Sequence, residues 1–423
     1  MNRAKAILAR NFKSLRHYNY RVYWISQLIS VTGTWMQNIA LAWLVVTMTG
    51  SPVALGMTTA LQFLPILLLS LFAGVFIDRW SKLTIILATQ SVSAAQALLL
   101  WALVAAKAIT LWEIYALSLL LGIVNAFDQP GRQAFVAEMV PDEDVGNAVA
   151  LNSLLFNAAR TVGPAVAGVT IAEFGVAPSF LVNAVSYLAI IFALLMMKKE
   201  ALRTLKSKVQ STVREGIEEG VSFAMNEPII ASVLIVLIFV GMFGYNFSTI
   251  LPLLAKFVLK GGPEIFGAVT AALGIGSMLG ALLVAGREKP TRKFIYAFAL
   301  VFGLTEIGIS LSRNYTLTIA LLLVLGLASI AYIASTNTSL QINSPMRLRG
   351  RVMGLYVVIF AGSTPIGAMF TGFMADWLGT AHMIAVEGLL CLLGVASGLL
   401  YLKRIKRNAV AAQITGGSET GKM

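Results

Sequence analysis

The sequence predicts an all-α membrane protein of twelve transmembrane helices in two six-helix, pseudo-symmetric halves. Three observations predict it. Of 423 residues, 58% are hydrophobic and 12% are charged, against about 45–50% and about 25% in a soluble domain. A core of this length cannot hide so many apolar side chains, so lipid must serve as solvent. The apolar residues also fall into twelve runs of spanning length, and short sequence features of the first six recur in the last six.

A spanning helix needs about 20 largely apolar residues. In order, the runs are Val22–Met48, Val53–Ile77, Leu83–Ala106, Leu111–Phe127, Ala148–Phe174 and Phe180–Met197, then Ile229–Ala255, Phe266–Ala285, Phe294–Leu311, Leu317–Gln341, Val352–Trp377 and Met383–Leu402. They are too long for membrane strands and lack alternation of apolar and polar residues. The domains expected are a basic arm (1–20), an N-terminal half (21–197), a linker (198–228), a C-terminal half (229–402) and a tail (403–423). The arm has no short apolar core or cleavage site of a secretory signal, so it is expected to stay in place.

Charge sets the expected topology. Of the 32 Lys and Arg residues, 27 fall in the termini and in alternate loops. Four (Lys107, Lys256, Lys260 and Arg313) fall on the other side, and Arg160 alone lies inside a run. By the positive-inside rule both termini are expected in the cytoplasm. The formal charge of +13 then reflects topology beside anionic lipid, not nucleic-acid binding, which needs a concentrated basic face.

The repeat appears as ordered pairs. Gly33 and Asn38 align with Gly241 and Asn246. Pro52 and Gly56 align with Pro263 and Gly267. Pro141, Gly146 and Leu151 align with Pro345, Gly350 and Leu355. Two parallel halves place a substrate site between them near the midplane. In the linker, Leu205, Val209, Val213, Ile217 and Val221 recur every four residues amid charges, which predicts an amphipathic helix at the membrane surface.

Chemistry is sparse. There is one cysteine, Cys391, and the two histidines, His17 and His382, lie in different loops. No metal site, cofactor or enzyme activity is expected. The absence of a G-x-x-x-x-G-K-[ST] loop removes ATP as direct energy source and leaves a proton gradient or the membrane potential.

The loop after the second run reads "GVFIDRWSK", Gly74 to Lys82. It resembles the signature loop between helices 2 and 3 of the major facilitator superfamily, G-x-L-a-D-r-x-G-r-k. Gly74, Asp78, Arg79 and Lys82 fit, Phe76 stands for Leu, and Ser81 replaces a glycine. The resemblance implies a transporter whose Asp78 latches one end of the molecule against the start of the eleventh helix, near Gly350 and Arg351. The stretch 128–168 is similar to the branch that includes enterobactin exporters and drug efflux proteins, through Asp128, Pro130, Arg132, Gln133, Val140-Pro141, Ala148, Asn152, Arg160 and Gly163-Pro164. Gly163-Pro164 with Gly168 is also similar to the exporters' fifth-helix motif G-P-x-x-x-G, without its further glycines.

Within "SLLFNAARTVGPAVAG" (153–168), Ser153, Asn157, Arg160 or Thr161, Pro164 and Gly168 share one helix face. Arg160 lies about 18 Å deep at 1.5 Å per residue, beyond the reach of snorkelling, so it must face protein or water. Two readings are open. The stripe forms a gate beside a fixed positive charge, or Arg160 braces helices through groups such as Gln37 and Asn38. Asn38 and Asn246 sit at repeat-equivalent places in the first and seventh helices, which line the cavity in this superfamily. Trp35, Trp43, Phe243, Tyr245 and Phe247 would add aromatic walls, and Asn337 a polar group. Such a cavity suits a bulky apolar or aromatic substrate better than a sugar. Glu306, at mid-depth in the ninth helix, is a candidate proton carrier or a hydrogen-bonded structural residue.

The expected function is proton-coupled export of a siderophore or drug-like small molecule by a monomer in membrane lipid. Import or lipid translocation on the same fold, or a non-transporting receptor or scaffold, are the alternatives.

Overall fold

The structure is a computed structural model that describes residues 12–203, 213–285 and 290–417. It contains twelve helices long and apolar enough to cross a membrane. They are α1 (Tyr18–Thr49), α2 (Pro52–Arg79), α3 (Lys82–Ala105), α4 (Leu111–Glu138), α5 (Asp142–Phe174), α6 (Ala177–Leu195), α7 (Pro228–Val258), α8 (Pro263–Ala285), α9 (Arg292–Leu311), α10 (Tyr315–Ile342), α11 (Met346–Leu378) and α12 (Thr380–Gly417). No strand occurs among the described residues. Local signals start and stop the helices. Ser51, Thr291 and Asn314 accept backbone N–H bonds at the starts of α2, α9 and α10, supplying orphan donors with acceptors. Gly50, Gly175 and Gly379, all at positive φ, end α1, α5 and α11.

Two departures from the sequence reading have clear causes. Hydropathy ended the fourth run at Phe127 and began the fifth at Ala148, but α4 continues to Glu138 and α5 begins at Asp142. The intervening charges pair instead of breaking the helix: Asp128 meets Arg132 at 2.5 Å, and Glu138 meets Lys82 at 2.7 Å. The seventh run is not one continuous α-helix. Val240–Gly244 and Leu254–Val258 are π-helical, and Tyr245 and Asn246 fall outside any helix between two α segments.

Packing repeats with a six-helix offset. The contacts α1·α5, α1·α6, α2·α4, α3·α4 and α3·α6 recur as α7·α11, α7·α12, α8·α10, α9·α10 and α9·α12. The halves meet where α2 packs on α11 and α5 on α8. Both joints are tightest at the end opposite the linker. A Cβ on Gly56 would come within 3.1 Å of Gly372 Cα, and one on Gly267 within 2.7 Å of Gly168 Cα. Only glycine allows backbones so close. Lys256 on α7 adds a 2.8 Å hydrogen bond to the Val46 carbonyl of α1 at that end. At the linker end, Gly146, Gly350 and Gly354 meet nothing within 4 Å of a Cβ position. The two halves thus pack most closely at the end opposite the linker.

Of the amphipathic linker helix, Val213–Asn226 is described. Leu205 and Val209 lie outside the described residues. This helix packs on α11, where Glu219 forms ion pairs with Arg347 and Arg351.

Candidate functional site

The site begins with α5, which crosses the middle of the bundle without an acidic residue between Asp144 and Glu173. Its polar stripe divides by neighbour. Gly163 packs against α1, with a Cβ position 2.6 Å from Trp35 Cβ and 3.0 Å from the Thr32 carbonyl. Thr161, Pro164 and Gly168 face α8, against Gly274 and Gly267. Asn157 is exposed, and its side-chain amide donates back to the Ser153 carbonyl at 2.8 Å. Arg160 lies between these sets. Its guanidinium sits 5.7 Å from the centroid of the Trp35 ring, within cation–π range. Among the described residues no carboxylate pairs with it, and Tyr245 is the ionisable group it senses.

The two amides named as bracing partners for Arg160 are engaged elsewhere. Gln37 accepts from Asn183 at 2.9 Å and donates to Gln96 at 3.1 Å, and Asn38 accepts from Gln62 at 3.2 Å. These amides tie α1 to α2, α3 and α6 and leave Arg160 to the interior.

Facing Arg160, the break in α7 frees Tyr245 to project. π-helical turns of this kind recur at functional positions. The Tyr245 hydroxyl donates to the Ser329 carbonyl of α10. Its ring stacks on Phe302 of α9 at 5.6 Å and meets Phe360 of α11 edge-on at 5.0 Å. Tyr356 stacks on Phe360 at 6.0 Å and engages Asn337 of α10, whose carbonyl oxygen accepts from Gln341 at 2.5 Å. Arg160 with Trp35 on one half, and Tyr245, Tyr356 and Phe360 on the other, mark a candidate chamber at mid-depth, with Asn157 and Asn337 toward the linker end. Trp43 and Phe247 are core residues, with Trp43 stacked on Phe266 at 5.6 Å.

Asn246 does not belong to this group, which corrects the cavity expectation. It is 1% exposed, donates to the Met242 carbonyl at 2.8 Å, and lies against Gly367 of α11. Leaving the helix at Tyr245 turns the next side chain into the C-terminal half. There it bears on a second polar cluster. Glu387 of α12 is 0% exposed and accepts from the Thr371 hydroxyl. Glu306 of α9 is 1% exposed, with its Cβ 3.1 Å from the Cβ position of Gly388 and Cys391 beside it. No cation pairs with either carboxyl among the described residues. Glu387, Tyr356, Phe360 and Thr371 were not singled out by sequence as site residues. The spacing of Tyr356 and Phe360, four apart on one helix face, was the available signal.

Of the signature loop, Lys82 is described and pairs with Glu138 of α4. The side chains of Gly74, Asp78 and Arg79 lie outside the described residues. Arg351, expected near Asp78, is held by Glu219 of the linker helix.

A family model described as transmembrane secretion effector matches residues 9–415. The chain belongs to this family. It is a multi-pass transporter of the major facilitator superfamily. It is 26% identical over 379 residues to a staphyloferrin A transporter of Staphylococcus aureus, covering 87% of this chain and 92% of that one. It is 25% identical over 397 residues to the multidrug efflux pump Tap of Mycolicibacterium fortuitum, covering 91% and 96%. Among solved structures, a bacterial homologue of the human lysosomal transporter Spinster, inward-facing and unoccupied, superposes with TM-score 0.73 at 14% identity, covering 91% of this chain and 97% of that one. That likeness concerns the fold alone. The family match and these relatives make this chain a transporter and not an enzyme.

Proposed function

We propose that this transporter exports a bulky, largely apolar or aromatic small molecule that carries an anionic group, of the siderophore or drug-like class, in exchange for protons. The observation that carries the reading is Arg160, a cation at mid-depth met by no carboxylate among the described residues and set against the Trp35 ring. An uncompensated cation at this depth is expensive. A ligand anion compensates it, while the rings take the apolar body. Relatives named as a siderophore transporter and a multidrug efflux pump support this substrate class.

The asymmetry of 27 basic residues against four supports both termini in the cytoplasm, and the bacterial relatives support the inner membrane. On that orientation the chamber opens to the cytoplasm and loads from inside. The chain works as a monomer, with halves 21–197 and 229–402 rocking about the α2·α11 and α5·α8 joints. Export requires the glycine seal to part while the linker end closes around Asp78, Arg79 and the start of α11. Glu306 and Glu387 form the proton-carrying pair. Two carboxylates this deep cannot both stay charged without a cation, and Asn246 links them to the α7 break that presents Tyr245.

Two measurements test the reading. Efflux of a fluorescent anionic aromatic substrate from cells is expected to collapse with a protonophore, and efflux indifferent to it refutes proton exchange. In proteoliposomes, Glu306→Gln and Glu387→Gln are expected to retain substrate binding but lose acceleration by an imposed pH gradient. Full acceleration in both variants refutes the carboxyl pair as carrier.

A further inference from the structure

Away from the substrate path, the lipid-facing flank of α9 and α12 carries a groove at the linker end with a volume of about 770 Å³. Ala297 on α9 and Ala396 on α12 hollow it out, and Leu300 and Leu399, both more than a third exposed, form its apolar walls. Its mouth is basic. Arg292 and Lys293 open the first turn of α9, Lys403 reaches in from α12, and among the described residues no acidic one lines the groove.

Several cations at the same end are already paired with carboxylates. Lys13 pairs with Asp144, Lys82 with Glu138, Arg132 with Asp128, Arg203 with Asp142, and Arg347 and Arg351 with Glu219. Arg292, Lys293 and Lys403 have no ion pair among the described residues. They are exposed and sit where an apolar groove meets the level of the headgroups. A basic pocket between membrane helices is the arrangement that recognises an anionic headgroup. A lipid there leaves its acyl chains along the groove and its phosphate against the three cations. A zwitterionic lipid would fill the same volume without an acceptor of net charge.

We propose that the α9–α12 groove is a binding site for an anionic phospholipid. The site braces the two helices that carry Glu306 and Glu387, and its occupancy is independent of the transport direction and substrate class argued above.

The test uses the full chain in mixed micelles of phosphatidylglycerol and phosphatidylcholine, with the retained lipid counted by native mass spectrometry. The wild type is expected to retain phosphatidylglycerol preferentially. Arg292→Gln/Lys293→Gln/Lys403→Gln is expected to lose that preference by about tenfold or more, from the roughly 1 kcal/mol per basic residue near a lipid surface. The charge-matched control Lys107→Gln/Lys199→Gln/Arg349→Gln is expected to keep it. Equal retention of both lipids by the wild type overturns the proposal, as does an equal loss in the control, which would mean diffuse attraction only. Should the triple variant not fold, a photoactivatable phosphatidylglycerol on the wild type decides. Crosslinks are expected in 292–300 and 395–403, and crosslinks spread evenly over other helices overturn the site.

Discussion

Gly168→Ala is expected to spring the seal at the end opposite the linker. A Cβ on residue 168 would lie 2.6 Å from Gly267 Cα and 3.3 Å from Gly267 N. Carbon atoms in unstrained contact sit about 3.5–4.0 Å apart, so the α5 and α8 backbones must separate by roughly 1 Å. Inserting a methyl into a packed joint costs about 1–3 kcal/mol. That strain falls on the sealed conformation alone, because the contact parts when the molecule opens at that end. At 1.4 kcal/mol per factor of ten, the population shifts about 5- to 150-fold toward the alternative. Gly267→Ala, whose Cβ would lie 2.7 Å from Gly168 Cα, is expected to act the same way. Gly146→Ala, with nothing within 4 Å, is expected to be silent. The assay follows labelling of Asn157→Cys by a bulky maleimide added at the linker side of reconstituted protein. Cys391 is 0% exposed and contributes little background. Labelling is expected to slow at least about fivefold in the two joint variants, from the same strain. A rate equal to that of Gly146→Ala in both would refute the seal.

Two further outcomes concern topology and the latch. In a Cys391→Ala background, single cysteines replacing Lys107 and Arg313 are expected to react with an impermeant maleimide in intact cells, and those replacing Arg79, Arg203 and Arg349 to stay unlabelled; reaction at position 203 contradicts the orientation. Asp78→Asn is expected to leave the protein inserted at normal levels but slow its turnover, since a carboxylate near a helix N-terminus contributes about 0.3–1 kcal/mol; turnover at the full rate, measured as efflux per molecule, removes Asp78 from the latch.

The fold was legible because its signals are long and redundant. Each helix carries its own apolar run, and the pairs Gly56/Gly267 and Asn38/Asn246 point to the repeat. The structure gives the first pair equivalent work, since Gly56 packs on α11 as Gly267 packs on α5. The partner half of that symmetry was overlooked. Ala368 and Gly372 in α11 answer Pro164 and Gly168 in α5, and "AMFTG" beside "PAVAG" could have shown it. The site was legible in part. Arg160 stood out because a lone charge at mid-span is costly wherever it lies. Its surroundings did not, because Tyr245 reaches it only through a break in α7 that hydropathy cannot see. That run is among the most apolar of the chain, and π-helical turns leave no apolar gap. The same break sends Asn246 away from the cavity, so repeat equivalence with Asn38 in sequence did not become equivalence of role. Glu306 and Glu387 lie 81 positions apart on helices that pack antiparallel neighbours, and only the fold brings them together.

The central claim is that Arg160 holds the substrate's anionic group at mid-depth. Its direct test is equilibrium binding of a fluorescent anionic substrate and its uncharged ester to purified wild type, Arg160→Lys and Arg160→Ala. The account predicts that all three fold, with thermal unfolding midpoints close together. Arg160→Ala is expected to bind the acid about 10- to 100-fold more weakly, the loss of a charge-assisted contact of about 1.5–3 kcal/mol, while the ester binds all three alike. Arg160→Lys, which keeps the charge but loses the planar donor fork, is expected between them for the acid. Undiminished binding of the acid by Arg160→Ala, or an equal loss for acid and ester, contradicts the account.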